Sequence, residues 1–348
     1  MLVGIHNDLY GKFCPFLQRY EAILDHNGIK HVRLDASRQD FWETVSGLDL
    51  FIFRWLHYHD HHQMAQAILP VVQNEMGVKS FPDLATCWHY DDKIRQYFLL
   101  KQHNFPIIES WVFWDRRIAL EWLSTATFPV VFKLKGGAAS ANVLLIRNIS
   151  EATKLVNRMF SKGIKSGRIP MAGNTRWMDF SPYKEVHRWG GNVLRKLRGE
   201  DISPYWQIHK NYALFQKFLP KNEYDTRVTV IGDRAFAFRR FNREGDFRSS
   251  GSGKISYDAG AIDLCFVEKA FKISSKLKFQ SMAYDFLYGE NGEIFFCEIS
   301  YDFVDTAIFN CSGFWDSSLN WHEGNYWPQY FQLIDALGLP DLRQPDLH

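Results

Sequence analysis

The chain has 348 residues, of which 46% are hydrophobic and 23% charged, and its formal net charge is +2 at pH 7. This length is sufficient for two or three domains with full cores, and the composition is that of an ordinary soluble protein. The near-neutral charge disfavours nucleic acid as a partner, and no apolar run reaches the roughly 18 residues that a membrane span needs.

The five cysteines are odd in number, include no CxxC pair and lie mostly in apolar runs. Such a pattern is typical of free thiols in a reducing compartment. The N-terminus also lacks a basic segment followed by an apolar one, which a secretory signal would show. We therefore expect a cytoplasmic protein with no membrane partner.

Residues 1–88 alternate short apolar runs with amphipathic stretches. The predicted strands are Leu2–Ile5, His31–Leu34 and Leu48–Phe53, and the predicted helices are Phe16–His26 and His62–Met76. Alternating strands and helices predict a parallel sheet of Rossmann type. The first turn, HNDLYGKF, lacks the GxGxxG pattern, so it does not support a dinucleotide site.

Four histidines, His57, His59, His61 and His62, cluster in the segment HYHDHH just before the second of these helices. A metal site is one interpretation of this cluster. Adjacent histidines in a loop more often form the polar start of a helix, and this is the interpretation that we favour.

A new helix is predicted in DDKIRQYFLLKQHN, with Asp91 as its cap and Lys93 in its first turn. A cation there is unfavourable for the helix dipole. Lys93 is therefore either solvated or held by something anionic.

The segment FPVVFKLKGGAASANVLLIRN places two β-branched runs around Gly136–Asn142, a loop of small residues. Small residues let backbone N–H groups approach phosphate oxygens closely. Lys133 lies on the incoming strand and faces the same way as Lys135. The spacing is not that of a Walker loop, which leaves an ordinary glycine hairpin or a flap over a nucleotide.

Residues 161–212 carry more Lys and Arg than acids, interleaved with four large aromatic residues, Trp177, Tyr183, Trp189 and Trp206. Three interpretations stay open: a solvated insertion, a lid that contacts an anionic substrate, and a nucleic-acid-binding segment. The neutral charge of the whole chain makes the last of these the weakest.

Two further strands, Thr226–Ile231 and Arg234–Phe241, are predicted on either side of a turn at Gly232-Asp233. Around the Ser/Gly-rich loop that follows lies a group of cations: Arg227, Arg239, Arg240, Arg243, Arg248 and Lys254. This group is either a solvated surface or a phosphate clamp, and its position on strands before a flexible loop favours the clamp.

The stretch QSMAYDFLYGENGEIFFCEISYDF, residues 280–303, is predicted to form two strands joined by a two-residue Asn291-Gly292 loop. That loop places Asp285 directly opposite Glu298, with Ser300 on the same face. Two facing carboxylates repel unless a divalent cation such as Mg²⁺ lies between them. The alternative is a solvent-facing acidic pair, which the apolar neighbours of both residues disfavour.

A final amphipathic helix is predicted at Pro328–Leu337. Before it, six polar and aromatic residues are expected to crowd one loop that carries specificity: Trp315, Asp316, Asn320, Trp321, His322 and Glu323.

Four segments, FPVVFKLKGGAASANV, QKFLPKNEYDTRV, REGDFRSS and YDFLYGENGEIFFCEIS, together resemble the ATP-grasp superfamily over roughly residues 89–303. The chain most resembles the ribosomal-protein glutamate ligases and, more distantly, glutathione synthetase and D-alanine–D-alanine ligase. This resemblance implies an α/β fold, α+β in its catalytic part. A Rossmann-like pre-ATP-grasp domain at 1–88 would precede two subdomains that grip ATP, at 89–215 with its flap 133–143, and at 216–348.

The resemblance also implies roles for individual residues. Nucleotide contacts would come from Lys93, Lys133, Lys135, the hinge residues Gln216, Lys217 and Phe218, and Asp225 or Glu223 on the ribose. If Gly232-Asp233 is the turn, Asp225 also lies opposite Arg240, so a structural ion pair is the alternative for it. Arg248 would steady the transferred phosphoryl group, with Arg240 and Lys254 as the other catalytic cations, and Asp285, Glu298 and Ser300 would bind Mg²⁺ or Mn²⁺. The chain departs from the family pattern at Lys217 and Ser300, where an acid and an asparagine are usual.

The implied activity is ATP-dependent joining of a carboxylate and an amine through an acyl phosphate. The substrate would be a small molecule, a peptide or a sugar-linked carboxylate, and a homo-oligomer stays open. The alternatives are an ATP-grasp phosphotransferase and a nucleotide-binding protein without turnover.

Overall fold

The structure is a computed structural model that describes residues 1–7, 13–137, 142–165 and 207–346. Its strands are β1 (Leu2–His6), β2 (Lys30–Leu34), β3 (Leu50–Ile52), β4 (Ser80–Phe81), β5 (Ser110–Phe113), β6 (Val130–Lys133), β7 (Val143–Ile146), β8 (Ile164–Lys165), β9 (Ile208–His209), β10 (Ala213–Lys217), β11 (Tyr224–Ile231), β12 (Arg234–Phe241), β13 (Ile255–Ser256), β14 (Ser281–Tyr288), β15 (Ile294–Ser300), β16 (Gly313–Asp316) and β17 (Trp321–Glu323). Its α-helices are α1 (Pro15–His26), α2 (Phe41–Ser46), α3 (His59–Pro70), α4 (Leu84–Cys87), α5 (Lys93–Gln102), α6 (Arg116–Leu123), α7 (Ile149–Met159), α8 (Leu264–Leu277), α9 (Asp305–Phe309) and α10 (Pro328–Leu337).

The described chain divides into two compact units. The first comprises residues 1–56, 62–90 and 221–348, and the second comprises 57–61 and 91–220. The division into three domains at residues 88 and 215 stays a prediction. In the part of the chain that the structure describes, no helix combines the length and apolar character that crossing a membrane requires.

The first unit contains a parallel sheet with the strand order β2-β1-β3-β4. Val3 and Ile5 of β1 are fully buried in its core, as the apolar run predicts. Helix α1 begins at Pro15, whose fixed φ suits the first helical turn, and ends before Gly28, which has a positive φ of 65°. The predicted parallel sheet is confirmed.

Helix α3 differs from its prediction, His62–Met76. It begins at His59, so the histidine cluster does form a polar helix start, and it ends at Pro70. Because Pro70 has no N–H, the α-helical ladder cannot continue through it, and the chain passes into a π-helix over Val71–Glu75. Among the described residues, no group of three His, Cys, Asp or Glu side chains is arranged to hold a metal.

The first unit also contains an antiparallel sheet with the order β15-β14-β11-β12-β16-β17, in which β13 pairs with β12. The predicted two-residue turn at Gly232-Asp233 is confirmed, since Ile231 pairs with Arg234 and Gly232 has a φ of 58°. The final helix α10 has the predicted bounds. Its Leu333 lies in the core of the parallel sheet and its Phe331 in the core of the antiparallel sheet.

The hairpin of β14 and β15 has a longer loop than predicted. The N–H of Gly289 donates to the carbonyl of Glu293 (2.7 Å), which leaves a three-residue loop that ends in Gly292 with a φ of 84°. This extra residue shifts the register near the loop by one. A β-bulge restores the predicted register farther from the loop. Phe286 pairs with Phe296 and Asp285 pairs with Glu298, so Cys297 is the extra, unpaired residue of β15. The predicted pairing of the two acids is therefore confirmed, although the predicted loop is wrong.

The predicted loop around Trp315 and Trp321 is also wrong, because these residues form the β16–β17 hairpin. Asp316 holds its turn together, accepting from the N–H groups of Ser318 and Asn320 (both 2.9 Å) and pairing with His322 (2.8 Å).

The second unit contains an antiparallel sheet with the order β5-β10-β6-β7. Helices α6 and α7 bury their apolar faces in the core of this unit, which includes Leu123, Phe132, Leu155 and Phe215. A separate pair of short strands, β8 and β9, closes the two ends of the predicted insertion 161–212. Residues 166–206 of that insertion lie outside the described residues, so its predicted roles stay open.

Candidate active site

An ion-pair network crosses three neighbouring strands of the antiparallel sheet in the first unit. Arg227 of β11 donates from Nε and Nη2 to the two carboxylate oxygens of Asp285 on β14, at 2.7 and 2.8 Å. Arg240 of β12 donates in the same forked way to Asp225 of β11, at 2.7 Å for both contacts. Nη2 of Arg240 also lies 2.7 Å from Asp285, so the four side chains are connected.

The strand register explains this arrangement. Asp225 pairs with Arg240, and Arg227 pairs with Asp285. Because Asp225 and Arg227 are two residues apart on β11, their side chains lie on the same face of the sheet. The four groups are thus cross-strand neighbours, and Asp225, Arg240 and Asp285 are 9%, 7% and 7% exposed.

The two carboxylates of the network differ electrostatically. Burial raises the pKa of Asp225, and the attraction of Arg240 does not cancel this effect because that arginine is shared with Asp285. Burial acts in the same direction on Asp285, but Arg227 and Arg240 together hold the pKa of this carboxyl well below its usual range. Asp285 is therefore the more firmly ionised of the two at neutral pH.

The three predicted metal ligands lie on β14 and β15. Asp285 pairs with Glu298, and Ser300 pairs with Ala283 on the same two strands. The arginines use three of the roughly four lone-pair positions of the Asp285 carboxylate, which leaves one for a cation. The Ser300 hydroxyl donates to the carbonyl of Asp302 (2.7 Å), so its oxygen still has lone pairs. This set of oxygen donors fits the preference of Mg²⁺, and the metal assignment stays a prediction.

The predicted ribose ligands have different surroundings. Asp225 makes the ion pair with Arg240 that its register predicts, so the structural interpretation of this residue is confirmed and its ribose contact stays a prediction. The Glu223 side chain is exposed, while its carbonyl accepts from the Asn242 N–H (2.8 Å).

The arginine-rich loop after β12 is held by its own hydrogen bonds. Arg248 pairs with Asp246 through Nε at 2.9 Å to both oxygens, and Arg243 donates to the carbonyl of Ser250 (2.8 Å). Burial acts to raise the pKa of Asp246, but the hydrogen bonds and charge of Arg248 lower it overall. Lys254 at the end of the loop is exposed. The structure therefore pairs Arg248 with an acid of its own loop, Asp246.

The predicted flap begins in the second unit beside the start of α5. Lys93 is buried rather than solvated, and its ammonium donates to the carbonyl of Gly137 (3.2 Å). The N–H of Lys93 donates to the carbonyl of Lys135 (2.8 Å). Lys133, 5% exposed, precedes this junction on β6. Residues 138–141 of the flap lie outside the described residues.

The cap of α5 is Asp92, not Asp91 as predicted. The Asp92 carboxylate accepts from the N–H groups of Ile94 and Arg95 (both 3.1 Å) and lies 3.6 Å from the ammonium of Lys135. Asp91 has a left-handed φ of 49° and accepts from the N–H of Gly137 with both oxygens (2.8 and 2.9 Å). The first aspartate therefore anchors the flap, and the second caps the helix.

The predicted hinge lies on the central strand β10. Gln216 is buried and donates to the Ser110 hydroxyl (3.2 Å), and the N–H of Lys217 donates to the carbonyl of Glu109 (2.8 Å). Lys217 is exposed and pairs with Val130 at the end of β10, while Phe218 lies just beyond β10. Roles of these residues in adenine binding stay predictions.

Sequence reasoning missed several residues that the structure brings into these sites. It counted Arg227 only as one of a basic cluster, and a prediction of the β11–β14 pairing would have identified its partner. It gave no role to Tyr212, whose hydroxyl accepts from the N–H of Lys135 (2.9 Å) and bonds to Nδ1 of His209 (2.8 Å). Burial and the nearby charge of Lys135 lower the pKa of His209 to about 4.

No family model and no curated protein sequence matches this chain. Solved structures are similar. A RimK-domain ATP-grasp protein from Sphaerobacter thermophilus is 13% identical, with a TM-score of 0.51 over 87% of this chain and 92% of that one. N5-carboxyaminoimidazole ribonucleotide synthetase from Thermotoga maritima is 15% identical, with a TM-score of 0.58 over 99% and 77%. The D-cycloserine synthetase DcsG is 14% identical, with a TM-score of 0.55 over 97% and 100%.

These similarities define the fold. The chain has the ATP-grasp fold, here with a parallel sheet at its N-terminus, and the fold prediction is confirmed. At these identities the likeness concerns the fold alone.

Proposed function

We propose that the protein is an ATP-dependent carboxylate–amine ligase. The observation that carries this proposal is the pairing of Asp285 with Glu298 on neighbouring strands, with Arg227 and Arg240 both in contact with the Asp285 carboxylate. Phosphoryl transfer uses carboxylates to bind a metal cation and arginines to neutralise the transferred phosphoryl group. The neighbouring structures include proteins described as ligases and synthetases, which supports the same class of reaction.

In the first step, a carboxylate oxygen of the acid substrate attacks the γ-phosphorus of ATP, and the P–O bond to ADP breaks. In the second step, the amine nitrogen attacks the acyl carbon, and phosphate leaves with the electrons of the C–O bond. The amine loses a proton as the amide forms. No protein nucleophile is required, so the residues contribute positioning and electrostatic stabilisation.

Asp285, Glu298 and Ser300 would hold Mg²⁺, or Mn²⁺ as its alternative, and the bound ion supplies charge neutralisation at the phosphates. Arg227 and Arg240 hold the Asp285 carboxylate ionised and in place. Arg248 leaves its partner Asp246 and then contacts the transferred phosphoryl group. Lys254 is a second cation of the same loop.

Lys133 contacts the nucleotide phosphates, with Lys93 and Lys135 beside the base of the flap. Lys133 ends the strand that leads into the flap, and Lys93 donates hydrogen bonds to the carbonyls of Lys135 and Gly137 at its base, which supports this role. Backbone groups of Gln216, Lys217 and Phe218 read the adenine. Asp225, or the more exposed Glu223, contacts the ribose.

The substrate is a small molecule, a peptide or a sugar-linked carboxylate. Two neighbours illustrate this range: the ligase PsnB was solved with a precursor peptide, and DcsG is a D-cycloserine synthetase. PsnB is 13% identical and has a TM-score of 0.50, so it bears on the fold and not on the choice of substrate.

Hydroxylamine tests the proposal, because it intercepts acyl phosphates and gives a hydroxamate. We expect a hydroxamate, ADP and phosphate when the protein, ATP, Mg²⁺ and a pool of candidate acids are incubated with hydroxylamine. Omission of ATP is the control. A stable phosphorylated acid without hydroxamate would instead identify a phosphotransferase.

A second candidate is a nucleotide-binding protein without turnover. Its support is that three arginine contacts already occupy the Asp285 carboxylate and that Ser300 is a shorter ligand than the usual asparagine. Tight ATP binding without ADP release in the presence of every candidate acid would identify this function.

A further inference from the structure

A carboxylate occupies a backbone N–H at the base of the predicted flap in the second unit. Both oxygens of Asp91 accept from the N–H of Gly137, at 2.8 and 2.9 Å. A carboxylate on a backbone N–H makes the same kind of charge-assisted hydrogen bond as a phosphate oxygen. Asp91 therefore uses the hydrogen-bonding group that glycine-rich loops offer to anions.

The local backbone is shaped to allow this contact. A Cβ atom at Gly136 would lie 3.0 Å from Oδ2 of Asp91, and one at Gly137 would collide with Nδ2 of Asn142. Gly137 also has a φ of 112°, which side chains disfavour. Nδ2 of Asn142 donates to the carbonyl of Gly136 (2.7 Å), which fixes the same turn from the other side. Two consecutive glycines thus let the acid approach the flap backbone closely.

Two acids and two lysines lie around this junction. The ammonium of Lys93 donates to the carbonyl of Gly137 (3.2 Å), and the ammonium of Lys135 lies 3.6 Å from Asp92. Together, Asp91 and Asp92 offset the charges of the two lysines. A polyphosphate that approaches Lys93 and Lys135 therefore meets the negative charge of Asp91 beside them, and this charge opposes its binding.

We propose that Asp91 competes with a phosphate oxygen of the nucleotide for the Gly137 N–H and thereby sets the affinity for ATP. ATP binds when a phosphate oxygen displaces the carboxylate, and the carboxylate returns to the N–H as the nucleotide product leaves. Asp91 thus weakens nucleotide binding and favours product release. The identity of the competing anion rests on the proposed function, in which residues of the flap contact the phosphates of ATP.

Calorimetry with the variant Asp91→Asn tests this competition. Asparagine tolerates the left-handed φ of 49° and keeps an oxygen that accepts from the Gly137 N–H, so the variant removes the charge alone. We expect ATP to bind at least about fivefold more tightly to the variant, because a negative charge near the phosphates is lost. Adenosine, which has no phosphate, should bind both chains equally. Unchanged or weaker binding of ATP by Asp91→Asn would overturn the proposal.

A second variant, Asp91→Gly, removes the competing acceptor together with the charge, and glycine suits the left-handed backbone. It should also bind ATP more tightly than the natural chain, and weaker binding would show that the carboxylate supports the site instead. The matched control is Asp115→Asn. Asp115 is an exposed aspartate whose carboxylate likewise accepts from a backbone N–H, that of Ile118 (3.0 Å), so its ATP affinity should be unchanged.

Inorganic tripolyphosphate and the hydroxylamine assay separate this inference from the proposed function. Tighter binding of ATP and tripolyphosphate by Asp91→Asn, without hydroxamate from any acid, would support the competition and count against the ligase. Hydroxamate formation by the natural chain, with equal ATP affinities of both chains, would support the ligase and overturn the competition. No binding of either polyphosphate to any of these chains would overturn both.

Discussion

Removal of Arg240 tests the network at the centre of the antiparallel sheet. The substitution Arg240→Met keeps an unbranched side chain of similar length and removes both contacts to Asp225 and the one to Asp285. Asp285 retains its forked partner Arg227, so Asp225 is the carboxylate that loses its ion pair in the interior.

The magnitude follows from the burial. With Asp225 9% and Arg240 7% exposed, breaking the pair should lower the free energy of unfolding by about 3–5 kcal/mol. Because burial already raises the pKa of Asp225, its native form binds a proton more tightly than its unfolded form. The contribution of this group to stability is therefore present at low pH and lost as the pH rises above about 4. The loss in free energy of unfolding caused by Arg240→Met should therefore be larger at pH 7 than at pH 5.

Urea unfolding of the natural chain, Arg240→Met, and Arg240→Met combined with Asp225→Asn provides the assay. The added Asp225→Asn should recover about 1–3 kcal/mol, because it removes the uncompensated charge. Arg117→Met, on an exposed helix pair, is the control and should cost less than about 1 kcal/mol. A loss below 1 kcal/mol for Arg240→Met, or further destabilisation by Asp225→Asn, would refute this reasoning.

Three further predictions concern the two units separately. Glu298→Gln should abolish Mg²⁺-dependent ATP cleavage and leave the circular dichroism spectrum unchanged. Ser300→Asn should stay active. Turnover of ATP by Glu298→Gln at the rate of the natural chain would contradict the metal assignment. Lys133→Ala should weaken ATP binding, measured by calorimetry, by about one to two decades, because it loses a charge-assisted contact with phosphate. The control Lys154→Ala, at an exposed position, should bind ATP with unchanged affinity. Equal affinities of Lys133→Ala and the natural chain would place Lys133 outside the site. His209 has a pKa lowered to about 4 against about 6.5 when unfolded, so the unfolded chain takes up the proton first and stability falls by about 2 kcal/mol between pH 7 and pH 5. His209→Gln should flatten that part of the melting-temperature profile, and an unchanged slope would contradict it.

One turn and the register that it sets were predictable from local sequence. The Gly232-Asp233 turn fixes a register that places Asp225 opposite Arg240, and the structure has both features. For Asp285 and Glu298 the pairing was predicted, but for an incomplete reason. The three-residue loop and the bulge at Cys297 shift the register in opposite directions, so their effects cancel at this pair.

Other features were beyond the reach of local patterns. Either Asp91 or Asp92 suits a helix cap by composition, and only the backbone decides, since Asp91 adopts a left-handed conformation and turns towards Gly137. The ion pair of Arg227 depends on β11 pairing with β14, strands more than fifty residues apart. The contact of Arg54 with Asp302 depends on the meeting of the chain beyond β3 with that beyond β15. Long-range pairings of this kind leave little trace in a single sequence.

Oxygen labelling tests the central claim, ligation through an acyl phosphate, most directly. Once an acid substrate is identified, it is prepared with ¹⁸O in both carboxylate oxygens and incubated with the protein, ATP, Mg²⁺ and the amine. Ligation through an acyl phosphate transfers one label to the released phosphate and leaves the other in the amide, with ADP as the nucleotide product. Label in AMP, or phosphate without label, would contradict it.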